Sequence, residues 1–275
     1  MPQAPLYSPP TPDTARGLMA DLWRGSLQDY VSNDPAYGTR IKDDFVQPRL
    51  NATSASANKD WWLQITGGST AQAFTSVDGD PDGSVLLSAT PDTGGDDGAT
   101  AHFGDEAATG NRVNLPTHAT APRGRVVYQT RATRSHGTVR IYFAGLAPAA
   151  AAVLAAGGAL PDSAYIGFRI DELGNLDFVT KSAATGSGGV SDSVRVLNVA
   201  DFPTGVSILG YAVNKDRSVD IVVNNQIFMV AARSINPLAL PVVSLAPAYS
   251  VDSDAAEAVA TTWVVDDLDV FVSAL

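Results

Sequence analysis

The stretch GVSILGYAVNKDRSVDIVVNNQ, residues 205–226, sets the reading of the whole chain. Val, Ile, Leu, Tyr and Ala dominate residues 206–214. Lys215-Asp216-Arg217 interrupts them, and Val and Ile resume from Ser218 to Asn224. Runs of this length, rich in β-branched residues and bounded by Asn, Asp and Lys, predict two strands joined at a tight tip. Asn224-Asn225 then separates Asp220-Ile-Val-Val from Gln226-Ile-Phe-Met-Val. Asn tolerates the left-handed backbone that a two-residue hairpin demands, so a second hairpin follows directly on the first.

Working outward, the period of two holds from about residue 43 to the C-terminus. Strands are predicted at 61–66, 71–77, 84–90, 99–103, 126–133, 138–145, 164–171, 176–181, 193–199, 242–245 and 261–272, with clusters of Gly, Pro, Asn and Asp between them. With the strands of the opening stretch, this number suits one antiparallel two-sheet sandwich. Thr185-Gly-Ser-Gly-Gly and Asp92-Thr-Gly-Gly-Asp-Asp-Gly read as loop tips. Pro148-Ala-Ala-Ala-Ala-Val-Leu-Ala-Ala-Gly-Gly reads as a short helix, with Pro in its first turn and Gly at its end, capping one end of the sandwich. No repeat of 20 to 50 residues is visible, which disfavours solenoids and propellers.

The beginning of the chain obeys a different rule. Residues 1–12 hold five prolines and no hydrophobic period, the composition of an extended arm. Asp13 can then cap an amphipathic helix in which Leu18, Met19, Leu22, Trp23, Leu27, Tyr30 and Val31 recur at helical spacing. That apolar face has two readings: it packs on its own sandwich, or Leu18, Met19, Leu22, Trp23 and Tyr30 dock a partner subunit. The chain is thus expected to divide into an arm with a helix over residues 1–42 and a sandwich over residues 43–275.

Composition excludes several function classes. Of 275 residues, 45% are hydrophobic and 17% charged, enough apolar surface for a folded core. A net charge of −11 repels a phosphate backbone, so no nucleic-acid partner is expected. The absence of Cys removes disulfides, thiolate metal sites and a Cys nucleophile. The N-terminus lacks the basic start and apolar core of a signal peptide. The most apolar stretch, residues 145–160, falls short of the ~20 residues of a membrane helix, so no membrane partner is expected either.

Three segments together resemble the concanavalin A-like lectin and glucanase sandwich, a jelly roll. They are the opening Asp43-Asp44-Phe45, the central Tyr165-Ile-Gly-Phe-Arg-Ile-Asp and the closing Trp263-Val-Val-Asp-Asp-Leu-Asp-Val-Phe-Val. Residues 205–226 also resemble the paired strands of laminin-G-like modules. The resemblance implies that the Asp-Phe strand adjoins the last strand and that the central strand precedes a functional groove. Such a fold hosts lectins, glycosidases, adhesion modules and virion proteins, so the site must decide the function.

Glucanases of this fold carry a Glu-x-Asp-x-x-Glu type of strand, because an acid and a nucleophile must flank one glycosidic bond about 5 Å apart. The nearest counterpart here is Arg169-Ile-Asp171-Glu172, whose adjacent carboxylates would point to opposite faces of a strand. It reads better as a hairpin turn, Asp171-Glu172-Leu-Gly-Asn. His102, His118 and His136 stand in no hydrolase or metalloprotease motif. Asp78-Gly-Asp80-Pro-Asp82-Gly83 could wrap a Ca²⁺, with Asp78, Asp80 and Asp82 as ligands; the other reading is an acidic turn between Thr75 and Val85. Trp61, Trp62, Tyr128, Tyr142, Trp263 and Phe271 are candidates for a sugar-stacking platform or for core packing, and alternation puts Trp61 and Trp62 on opposite faces of one strand.

Taken together these features lead to the expectation of a non-enzymatic virion component, made in a host cytoplasm. It would be a phage capsid cement, decoration or head-fibre-like protein whose arm grips the major capsid protein or other virion subunits, as a homo-oligomer that analogy makes a trimer. No cofactor is expected beyond the candidate Ca²⁺. The alternatives are a glycan-binding, lectin-like module, such as a receptor-binding part of a tail fibre, and a divergent glycoside hydrolase.

Overall fold

A computed structural model describes residues 38–45, 50–51, 61–66, 73–77, 83–89, 97–104, 113–115, 124–134, 140–148, 153–154, 158–198, 205–224, 226–227, 235–253 and 261–273. Within these, the chain forms sixteen strands. They are β1 (Gly38–Asp43), β2 (Leu50–Asn51), β3 (Trp61–Thr66), β4 (Ala73–Ser76), β5 (Val85–Ala89), β6 (Asp97–Phe103), β7 (Val126–Arg134) and β8 (Arg140–Ala147). There follow β9 (Tyr165–Ile170), β10 (Leu176–Lys181), β11 (Ser191–Leu197), β12 (Val206–Val213), β13 (Val219–Val223), β14 (Gln226–Ile227), β15 (Ala246–Ser253) and β16 (Thr261–Ser273).

They build two sheets. The first runs β14-β13-β12-β7-β16-β5-β4, with β1 also on β16; the second runs β11-β10-β9-β8-β15-β6-β3-β2. Every pairing is antiparallel except β2 with β3. The long strand β16 holds β7 along one side, while β5 pairs with its first half and β1 with its second. This is the concanavalin A-like jelly-roll sandwich.

The opening stretch folds as read. β12 and β13 pair from Leu209↔Val223 to Val213↔Val219, and the tip closes through Asn214 N–H to the Ser218 carbonyl (2.8 Å), with Arg217 at φ 67°. Leu209, Tyr211 and Val213 face inward with Val219, Ile221 and Val223. Asn224 takes φ 48° between β13 and β14, and its side-chain Oδ1 accepts from the Ile208 amide at 2.8 Å. In β16, Trp263 and Val265 point inward, the pairing with β7 slips between Val265 and Asp267, and Leu268 and Val270 point inward again. The doubled Asp266-Asp267 is thus a bulge that resets the alternation.

Four sequence expectations change. Residues 38–42, assigned to the arm, belong to β1 and pair with β16, so the sandwich starts at Gly38. The strand expected at 242–245 lies later, at β15, between β8 and β6. Val153 and Leu154 form a bend instead of part of a helix. These two side chains lie over the outer face of the second sheet, not at an end of the sandwich. Leu18, Met19, Leu22, Trp23 and Tyr30, with the helix and arm expected there, lie outside the described residues, as do Asp78, Asp80 and Asp82. The flanks of that acidic loop pair as a hairpin, Val77 N–H to the Ser84 carbonyl at 3.0 Å. Among the described residues no helix is long and apolar enough to cross a membrane.

Gly145 and Gly167 stand opposite each other in β8 and β9. A Cβ on Gly167 would meet the Ala144 carbonyl oxygen and lie 2.7 Å from the Gly145 Cα, while one on Gly186 would meet nothing within 4 Å. Backbone cannot swing aside as a side chain can. Gly167→Ala is therefore expected to cost about 2–3 kcal/mol and Gly186→Ala to leave stability within about 0.5 kcal/mol. Urea melts of the two variants check this, and equal costs would count against the close strand approach.

Candidate functional site

Alternation gives the second sheet an outer face whose residues stand in register across the strands. One row reads Arg195, Asp177, Arg169, Phe143, Ser250, Thr100 and Gln64 from β11 to β3. The next reads Ser193, Val179, Gly167, Gly145, Ala248, His102 and Trp62. The face therefore has a charged end at β10–β11, an apolar middle and a polar, aromatic end at β3–β6.

At the aromatic end Trp62 is half-buried and stacks on the buried His102, with ring centroids 5.6 Å apart and planes 23° from parallel. Beside this pair Thr100 and Ser250 share a hydroxyl–hydroxyl hydrogen bond of 2.7 Å. Gln64 follows in the same row, and its buried Oε1 finds no hydrogen-bond partner among the described residues. Of the sequence's stacking candidates, Trp61, Tyr128, Tyr142, Trp263 and Phe271 are core residues at 2% exposure or less. Trp62 alone among them lies at the surface.

The apolar middle is occupied. Val153 and Leu154, each 1% exposed, pack on Phe143, Tyr165, Val179 and Ala248 from outside the sandwich. Burial raises the Tyr165 phenol above its ordinary pKa, and the nearby Arg169 cation opposes the rise. The Val153 amide donates to Thr100 Oγ1 at 3.3 Å, and Arg169 Nη2 donates to the Gly158 carbonyl at 3.3 Å. At the segment's end Asp162 accepts from Lys181 Nζ (2.5 Å), the Thr185 amide (2.8 Å) and Thr185 Oγ1 (2.6 Å). These donors hold its carboxylate well below the ordinary range, the Lys181 bond contributing most.

At the charged end Arg195 Nε donates to Asp177 Oδ1, and Arg195 Nη2 reaches Asp171 Oδ2 at 3.1 Å. These bonds raise the pKa of the guanidinium, Asp177 first. Asp171 is a turn residue, as read from sequence: its Oδ1 accepts from the Leu173 amide (3.0 Å) and the Asn175 amide (2.8 Å), and Gly174 takes φ 80°. On the strand face itself the described carboxylates are Asp177 and Asp252. Asp252 is buried and stands three strands from Asp177, about 14 Å by strand spacing. A glycosidase pair is ~5–9.5 Å apart, so these two do not form one. Among the described residues no cluster of three metal-ligating side chains occurs.

No protein-family profile matches the sequence, and no curated protein does. Solved structures do match. A glycoside hydrolase family 16 endo-glucanase from Bacteroides ovatus, in complex with G4G3G-2F-DNP, superposes with a TM-score of 0.51 at 8% identity, covering 84% of this chain and 99% of its own. The Bacteroides ovatus mixed-linkage glucan family 16 protein with G4G4G3G product gives the same figures. The catalytic domain of a Thermotoga petrophila endo-1,3-β-glucanase matches at a TM-score of 0.49 and 11% identity, over 84% of this chain and 96% of that one. The likeness to the Bacteroides proteins overturns the expectation of a non-enzymatic virion component, whose phage context nothing in the fold supports.

Proposed function

We propose that the protein recognises glycans on the outer face of its second sheet, with Trp62 as the stacking platform. The observation that carries this reading is the half-buried Trp62 stacked on His102, with Gln64, whose Oε1 has no hydrogen-bond partner among the described residues, next to it on one face of a glucanase-type sandwich. A sugar presents C–H groups on its ring faces and hydroxyls on its edges. The Trp62 ring offers a plane to the first, and the Gln64 amide beside it on β3 a polar partner to the second.

Trp62→Ala is expected to weaken binding of β-glucan oligosaccharides at least tenfold, about 1.4 kcal/mol. Melting should move little, because Trp62 lies outside the core. Titration calorimetry measures the first and a thermal melt the second. Unchanged affinity would remove the site from this face, and no binding to any β-glucan would defeat the reading. The fold shared with the Bacteroides endo-glucanases favours hydrolysis as a second reading. Release of reducing ends from β-glucan would establish it and would call for a carboxylate pair other than Asp177 with Asp252.

A further inference from the structure

The apolar segment over the middle of the second sheet defines the shape of any glycan site there. We infer that this built-in plug turns the face into a blind-ended site that takes a glycan terminus or a short oligosaccharide, and excludes a polysaccharide running through. The inference rests on the glycan-binding reading and goes beyond it by naming the ligand's form.

The plug is fixed at separate places across the sheet. Val153 is tied to Thr100 on β6, Val153 and Leu154 pack on Phe143 of β8 and Val179 of β10, and the Gly158 carbonyl is held by Arg169 on β9. Gly158, at φ 65°, lies so close over Ile141 that a Cβ there would come 2.8 Å from the Ile141 Cγ1. The Asp162 carboxylate, clasped by Lys181 and Thr185, secures the far end. From β6 to β10 these anchors span four strand spacings, about 19 Å. The covered residues have no room for a second layer, since Phe143 and Ala248 are already fully buried. A glycan lying on Trp62 and Gln64 of β3 therefore meets the plug where β6 gives way to β15 and β8.

The experiment uses the full chain and β-glucan oligosaccharides of two to six residues, with soluble β-glucan polymer as the long ligand, by calorimetry and affinity electrophoresis. Affinity should level off by three residues, within twofold thereafter, and polymer should retard the protein only weakly. The double variant Val153→Ser with Leu154→Ser loosens the plug and should bring back a dependence on length. Affinity that climbs tenfold or more between three and six residues in the unaltered chain would overturn the inference and leave glycan binding intact. No binding at any length would instead defeat the parent reading, and this inference with it. The length series on the unaltered chain decides even if the double variant fails to fold.

Discussion

Trp61→Ala is expected to remove about 4 kcal/mol of stability, a large share of the ~5–15 kcal/mol available to a domain. Trp61 is fully buried between the sheets. Its ring lies 5.6 Å from Phe45, 5.4 Å from Phe74, 5.3 Å from Phe103 and 5.6 Å from Tyr249. Truncation opens a cavity among four aromatic rings, three on different strands and Phe45 on the turn after β1, which cannot all collapse into it. It also removes the bond from the indole Nε1 to Asp43 Oδ2, 2.6 Å long. That carboxylate in turn accepts from the Phe45 amide at 2.8 Å, which keeps Phe45 in its left-handed conformation at φ 54°. The two contributions separate in a second variant: Trp61→Phe keeps most of the ring and loses the donor, and should cost about 1–2 kcal/mol. Urea unfolding of both variants provides the measurement. A loss below about 1 kcal/mol for Trp61→Ala would contradict the placement of this residue at the centre of the core.

How much of this was legible beforehand depends on how strongly each segment states its period. Residues 205–226 state it without ambiguity, so both hairpins follow from the sequence. The Asp43-Asp44-Phe45 and Trp263 segments pointed to the right fold, and the structure supplies a chemical reason for the first: Asp43 staples the turn to Trp61. β15 escaped reading because Ala246-Pro-Ala-Tyr-Ser-Val-Asp-Ser has no apolar alternation. All eight residues are buried, since the strand is covered on both faces, and burial on both faces erases the period of two. Pro247 argued further against a central strand, yet it precedes Ala248, where pairing with β6 begins. β1 escaped because Ile41 is its single large apolar residue.

The site was less legible than the fold. Alternation correctly separated Trp61 from Trp62, but the choice of which one faces outward depends on which sheet covers β3. The Ala-rich run after Pro148 has the propensity of a helix. Its Val153 and Leu154 form a bend where apolar side chains of the sheet's outer face need covering. A sandwich that hosts both lectins and hydrolases is compatible with either chemistry. What separates the two chemistries is the rows of side chains across that face.

Asp267→Asn is expected to stabilise the protein at pH 7.5 by about 2–3 kcal/mol and by only about 0.5 kcal/mol at pH 4. The bulge in β16 leaves Asp267 mostly buried, with Oδ1 making no hydrogen bond to a described residue. Burial, then the neighbouring charges of Asp269 and Asp266, push its pKa up to about 6, against an opposing pull from Arg131. A raised carboxylate pKa means that the folded chain keeps a proton which the unfolded chain has already released between about pH 4 and pH 6. Stability from this group is thus present at low pH, is lost as pH rises through that window, and stays lost above it. Asp269 shifts the same way through burial, although Arg40 donates to both of its oxygens. Asp162 and Asp216 are shifted downward, so the stability they contribute disappears only on further acidification. Removing the Asp267 charge should therefore flatten the stability profile between pH 4 and pH 7, while Arg131 retains its ion pair with Asp266 at 3.1 Å. Urea midpoints of the two proteins across that range measure the effect. A variant no more stable than the unaltered chain at pH 7.5, or an advantage undiminished at pH 4, would show that the strain in this bulge is not the buried charge.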